Sequence, residues 1–186
     1  MKFGDQVTGD YLLQRRSEAK NDSFKDELPG ASAAVVLWDI GTNYLYVHPT
    51  ATRSEKDTRL AMIEFIGPTD SIRSFYSDNA PELKKAAVSL EFCHPTSAPA
   101  RPDKNSKAEG KVKLVKSGTR GQLIHSGLHK SFWVKAAGVY TSNYCFTPAE
   151  RWSTDTKLSP YNRRLGEKFK GVIYALGQLV DFMKTP

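Results

Sequence analysis

The sequence predicts an α/β fold built on a mixed sheet, with three antiparallel strands followed by two more in parallel and helices on the flanks. Three observations carry this. Two apolar runs, ASAAVVLWDIG and TNYLYVHP, are separated only by Gly41, Thr42 and Asn43, which marks an antiparallel hairpin. A strand-like run precedes this hairpin and adds a third antiparallel member. A helix-patterned segment then separates the hairpin from a further strand, the order that makes a parallel crossover.

The elements follow in chain order. The first strand falls within residues 5–13, and the polar segment Gln14 to Gly30 after it, ending in Pro-Gly, reads as a loop or hairpin insertion. Ser54 to Ile66 fits a helix: Ser54 caps it, Asp57 stands three residues on as in a capping box, Leu60/Ile63 and Ala61/Phe65 supply an apolar stripe, and Gly67-Pro68 ends it. Ser71 to Ser77 is the fourth strand, running directly into Asp78. A short helix over Pro81 to Leu90 and a fifth strand around Glu91 to His94 come next. The loop PTSAPARPDKNS leads to two long helical segments, Lys107 to Ser126 and His129 to Cys145, punctuated by Gly127. The tail from Thr147 is turn-rich, and GVIYALGQLVDFM alternates well enough for two short strands. The expected division is a core over 1–146 and a C-terminal extension over 147–186.

Composition narrows the function classes. The 186 residues suit one domain with a short appendage, and 39% hydrophobic content supports a packed core. No stretch approaches the ~20 apolar residues of a membrane span, so membrane-spanning and wholly disordered readings are excluded. Cys93 and Cys145 cannot staple a secreted domain and lie too far apart for paired zinc ligands. With no basic and apolar leader in MKFGDQVTGD, a reducing intracellular compartment is expected. The net charge of +7 is divided unevenly: residues 1–100 carry 11 Lys+Arg against 14 Asp+Glu, and residues 101–186 carry 16 against 6. The second half is therefore either a polyanion-binding surface or a well-solvated one.

Acids stand where a metal-dependent phosphoryl-transfer site needs them, at strand ends and helix starts. Two hard cations roughly 3.5–4 Å apart clamp a phosphodiester and require anionic oxygen ligands from rigid elements. Asp78 ends the fourth strand, although alone it is better explained as capping the helix from Pro81. Glu109 opens a helix on which Lys113, Lys116 and Arg120 share its face, an arrangement that suits a phosphate backbone or an ordinary solvated helix. Asp5 and Asp10 have opposite parity on the first strand, so only one of them can face a site. Asp39 leads into the Gly41 turn and has a structural explanation there.

Taken in order, VTGDYL, VVLWDIGTNYLYVHP, FYSDNAPEL, HPTSAPARPDKNSKAEGKVKLV and GLHKSFWVKAA resemble the catalytic core of a retroviral or retrotransposon integrase, with its Asp, Asp, Glu triad. The resemblance covers about Asp5 to Asn143, and SPYNRRLGEKFKG resembles the segment that follows the core in copia-type polyproteins. It implies an RNase H-like five-stranded sheet and DNA integration by 3′-end processing and strand transfer. It also implies Mg²⁺ or Mn²⁺ as cofactor, DNA as partner, a homo-oligomer and a nuclear location. Carried over residue by residue, the triad falls on Asp10, Asp78 and Glu109, with Asp5 in reserve for the first position. Lys113 and Lys116 match basic positions that meet DNA in the family, Arg120 extends them, and the loop from Pro95 to Ser106 resembles the family's mobile loop.

The chain departs from the family pattern in places. Asn105-Ser106 stands for the usual Asn-Gly, Gly110 for the common Arg after the Glu, and Lys107 for a small or apolar residue. The Asp78 to Glu109 interval is shorter than the retroviral one, which a shortened loop absorbs at low cost. Gly110 weakens the first turn of its helix by up to about 1 kcal/mol relative to Ala and loosens the aim of Glu109. The chain is expected to open within the first core strand, as a fragment of a larger polyprotein or a degenerate copy of one would. Three alternatives share parts of this reading: a catalytically degenerate nucleic-acid-binding remnant, an RNase H or related nuclease, and a purely structural module. His48, His94, His125 and His129 lack metal-ligand spacing, and Trp38, Trp133 and Trp152 are expected in or beside the core.

Overall fold

A computed structural model describes residues 1–13, 31–94, 106–148 and 158–179. Its sheet has four strands: β1 (Val7–Leu13), β2 (Ala33–Asp39), β3 (Leu45–Thr50) and β4 (Phe75–Tyr76), in the order β3-β2-β1-β4. β2 pairs antiparallel with both β1 and β3, and β4 pairs parallel with β1. The expected mixed sheet is present, but the fifth strand is reduced to one parallel bridge between Ser74 and Cys93. Glu91 explains the shortfall: its positive φ of 58° turns the chain sharply just before the bridge, leaving little extended backbone to pair.

Helices cover both faces. α1 (Glu55–Ile66) and α2 (Pro81–Ser89) pack on one side; α3 (Ser106–Ser126) and α4 (Trp133–Phe146) pack on the other, joined through a 3₁₀ turn at Lys130–Phe132. Alternation along the strands serves both layers. Val35, Leu37, Val7 and Tyr11 meet Met62, Phe65 and Leu83, whereas Ala34, Val36 and Leu12 meet Val115, Trp133 and Ala137. A central strand buried on both faces must read as an unbroken apolar run, which is why β2 is AAVVLWD. Asp10 shares the parity of Leu12 and so lies on the α3 side of the sheet.

The β2–β3 connection is held by side chains. Asp39, fully buried, accepts from the Gly4 amide at 3.0 Å and from the amide and hydroxyl of Thr42 at 2.7 and 2.6 Å. Asn43 adopts φ 62°, a left-handed conformation that Asn tolerates, and its Oδ1 accepts from Trp38 Nε1 and Lys111 Nζ. At the start of α1, Ser54 Oγ accepts from the Asp57 amide at 3.1 Å, while Asp57 itself turns back to Thr52. The face α1 buries is Thr58, Ala61, Met62 and Phe65; Leu60 and Ile63 of the expected stripe are 48% and 42% exposed.

The extension also differs from expectation. Residues 172–179 contain no strand, and Pro160–Leu165 forms a short helix, α5, capped by Ser159 and closed by Gly166 at φ 76°. Arg164 fastens it to the core: its Nη2 donates to the carbonyls of Phe65 and Ile66 at the end of α1 and to Asp70, and its guanidinium lies 3.8 Å from the Phe3 ring centre. The Gln14 to Gly30 segment, residues 95–105 of the expected mobile loop, and Trp152 lie outside the described residues. Among the described residues, no helix is long and apolar enough to cross a membrane.

Candidate active site

Each candidate carboxylate is carried by a different element. Asp10 is mid-strand on β1, half-buried, with its Oδ1 accepting from the Tyr11 amide at 2.7 Å. Asp78 follows β4 by two residues, and its Oδ1 accepts from the Ala80 amide at 3.0 Å. Ala80 is itself the N-cap residue of α2, so Asp78 forms a local turn ahead of the helix. Glu109 stands in the first turn of α3, exposed. Burial raises the carboxyl pKa of Asp10 above its ordinary value. The negative charges of Asp78 and Glu109 add to that rise, and the Tyr11 amide and Arg53 oppose it. The charges of Asp78 and Glu109 thus reach Asp10 from two other elements. Among the described residues, however, no group of three or more His, Cys, Asp or Glu side chains is gathered closely enough to hold a metal ion.

The donor chemistry still suits a hard divalent cation. All three groups offer carboxylate oxygens, and Asp10 carries a burial and like-charge penalty that a cation would cancel. Asp5 is placed elsewhere: it sits in the turn before β1, where its Oδ2 accepts from the Lys2 amide at 2.8 Å.

The structure adds residues the sequence reading passed over. Arg53, in the β3–α1 connection, lies 4.7 Å from the ring centre of Tyr11 and 3.9 Å from Glu82 Oε1, and its charge reaches Asp10. No local motif announces it, because β1 and the β3–α1 connection meet only through the sheet. Ser77, fully buried beside Asp78, donates to the Asp78 carbonyl at 2.9 Å and is 2.9 Å from His94 Nε2. His94 also stacks on Phe75, and burial, with Lys84 nearby, holds its pKa below the ordinary value. The pair thereby ties the backbone at Asp78 to the Cys93 bridge.

On α3, Glu109, Lys113, Lys116 and Arg120 are all exposed, and the buried face is Ala108, Val115 and Thr119. Lys111 points inward instead. Its Nζ donates to Asn43 Oδ1 at 3.0 Å and to the Tyr144 hydroxyl at 2.9 Å and sits 4.4 Å from the Trp38 ring centre; burial lowers its pKa to about 8. This anchor fixes the first turns of α3, and so the base of Glu109, to the β2–β3 turn and α4. Of the remaining histidines, His48 pairs with Glu64 at 2.8 Å, His129 caps the 3₁₀ turn, and His125 is exposed in the last turn of α3.

No protein-family model matches the chain, and no curated protein matches it in sequence. Solved structures do match. A chain of the simian T-cell lymphotropic virus intasome, in complex with PP2A regulatory subunit B56 gamma, aligns with a TM-score of 0.68 at 13% identity, covering 98% of this chain and 61% of that one. The present chain therefore spans about three-fifths of that neighbour's length. The HTLV-2 integrase catalytic core domain, in complex with magnesium in a trimeric form, aligns with a TM-score of 0.64 at 11% identity over 88% of this chain and 98% of that one. The BIV integrase catalytic core domain gives 0.58 at 11% identity over 88% and 95%. At these identities the likeness is one of fold: a four-stranded mixed sheet flanked by helices, as in retroviral integrase catalytic cores.

Proposed function

We propose that this chain is the catalytic core of a retrotransposon integrase of copia type, a polynucleotidyl transferase that trims and joins DNA ends with Mg²⁺ or Mn²⁺ held by Asp10, Asp78 and Glu109. What carries the reading is the fold shared with integrase cores, on which Asp10 is half-buried within β1 and lies within reach of the charges of Asp78 and Glu109. In this reading residues 1–146 are the core and 147–186 an extension latched by Arg164.

Each residue has a part. Asp10 is rigid because it lies within β1, and Asp78 because Ala80, Ser77 and His94 hold its loop. Glu109 completes the set from α3. Asp10, Asp78 and Glu109 would hold the divalent cation, whose Lewis acidity would serve the attacking water or 3′-hydroxyl and the departing oxygen. Lys113, Lys116 and Arg120 bind the phosphates that lead to the site, and Arg53 meets the phosphate nearest Asp10. Three to four such contacts give an affinity that falls with salt with a log–log slope of about −3. A homo-oligomer and a nuclear location follow from the same reading.

The test is Mg²⁺-dependent strand transfer or disintegration by the wild type and Glu109→Gln. Loss of activity in the variant is expected; equal activity in both overturns the role of Glu109. One observation favours a second reading, a degenerate remnant that binds nucleic acid without chemistry: Gly110 sits directly after Glu109 in the first turns of α3, where a Cβ would meet no atom within 4 Å and only helix propensity is lost. Calorimetry separates the two, because a remnant binds DNA in a salt-sensitive way and takes up no Mn²⁺.

A further inference from the structure

Beyond Lys113 the basic face of α3 runs into a cleft of about 260 Å³, walled by the middle of α3, the 3₁₀ turn, the start of α4 and the end of β1. Its floor is apolar. Leu12 and Trp133, only 4% and 7% exposed, line it together with Leu123. The one hydroxyl there, on Thr119, is spent on the Val115 carbonyl at 2.7 Å. Its rim is cationic, made by Lys116, Arg120 and Lys130, and no acid lines it among the described residues.

This chemistry calls for a ligand with an uncharged planar or apolar body and anionic groups beside it. The volume lies just under the ~300–1,000 Å³ of drug-sized pockets, which is room for one nucleobase and too little for a base pair. Position narrows the ligand further. Lys116 and Arg120 lie seven and eleven residues beyond Glu109, or about 10 and 16 Å along the helix axis. That is roughly three to five nucleotide steps at the ~3.4 Å rise of a duplex strand.

We infer that this cleft receives the base of one unpaired nucleotide in a DNA strand lying along α3, with the flanking phosphates on Lys116, Arg120 and Lys130. The inference rests on the DNA-binding reading above and adds strand-state selectivity to it. A paired and stacked base cannot enter, since its edge and faces are already engaged. An unpaired base gives up little, and burial against an apolar and aromatic floor favours it without regard to sequence. The chain would therefore prefer DNA ends that are overhanging or open over blunt ones.

The experiment compares the affinity of the full chain for three fluorescent probes at one salt concentration. One is a blunt duplex; the second is the same duplex with an overhang of about five nucleotides; the third carries that overhang without bases. The overhang is expected to bind about tenfold tighter than the blunt end. The abasic overhang, which keeps the phosphates, should lose most of that gain. Leu123→Trp, which fills the cleft, should bring the overhang-to-blunt ratio towards one, and Thr119→Leu serves as a second filling variant. Equal affinity for all three probes, or an equal gain for the abasic overhang, overturns the inference and leaves DNA binding by the chain intact. Absence of salt-sensitive binding to any probe overturns the DNA-binding reading and the inference with it.

Discussion

Gly110 offers a sharp test of how α3 carries its functional face. It is the fifth residue of a 21-residue helix, on the turn that bears Glu109, and a Cβ built on it meets no atom within 4 Å. Gly→Ala there should recover only the helix-propensity difference, about 0.8–1 kcal/mol, since no packing is gained or lost. For a chain of this size that corresponds to a Tm increase of about 2–4 °C. Gly121, on the same helix with the same open surroundings, should respond alike. Gly118 supplies the opposite case: its Cβ would collide with the ring of Tyr140 where α3 and α4 approach, and overpacking costs about 1–3 kcal/mol. Thermal and urea denaturation of the three alanine variants should therefore show two stabilised chains and one destabilised. A Gly110→Ala variant with an unchanged or lower Tm would refute the account of this turn. A variant that is stabilised but no faster in strand transfer would show that helix fraying does not limit the aim of Glu109.

Three further outcomes follow from the site's electrostatics and burial. The raised pKa of Asp10 means that its stabilising contribution is present while it is protonated and is lost as pH rises through the folded value. Asp10→Asn should therefore melt higher than wild type at pH 7 and no higher at pH 3, and Mg²⁺ should raise the Tm of wild type but not of the variant; a variant less stable at neutral pH would contradict this. Lys111 is depressed to about 8 from near 10.5, so stability tied to it should rise between pH 8 and 10.5; Lys111→Met should flatten that rise, and parallel pH profiles would refute the assignment. Cys145 is buried, exchanges hydrogen bonds with Leu45 and has its thiol pushed up to about 12, whereas Cys93 is exposed. An alkylating reagent at pH 8 should modify one thiol in the folded chain and two after unfolding, and two equally fast reactions would disprove this.

Local pattern and tertiary context divide the structure between them. The β2–β3 hairpin, α1 to α4 and the outward face of Glu109, Lys113, Lys116 and Arg120 were legible because each depends on the chain's own period and on caps a few residues away. The signals for α5 are local as well, with Ser159 before Pro160 and Gly166 after Leu165, whereas the strand-like alternation of the apolar run beyond it finds no partner strand among the described residues. Leu60 and Ile63 mislead for a different reason. Several faces of α1 are apolar enough to bury, and the sheet selects the one bearing Thr58, Met62 and Phe65. The fifth strand shrinks because pairing depends on where the neighbouring backbone lies, and among the described residues of that segment only Cys93 bridges to it.

Hydrophobic periodicity and composition are local properties, and they suffice for the fold class and for the basic character of the second half. Long-range packing is what brings the charges of Asp78, Glu109 and Arg53 to bear on Asp10, leaves Asp5 in the turn before β1, and sets His94 against Ser77 beside Asp78. It also makes Leu12 and Trp133 the floor of a cleft on the same face as the cations. The physical reason is separation along the chain. Charges and apolar surfaces act over a few ångströms in space, and these residues, tens of positions apart in sequence, come within that range only when the sheet pairs and the helices pack on its two faces.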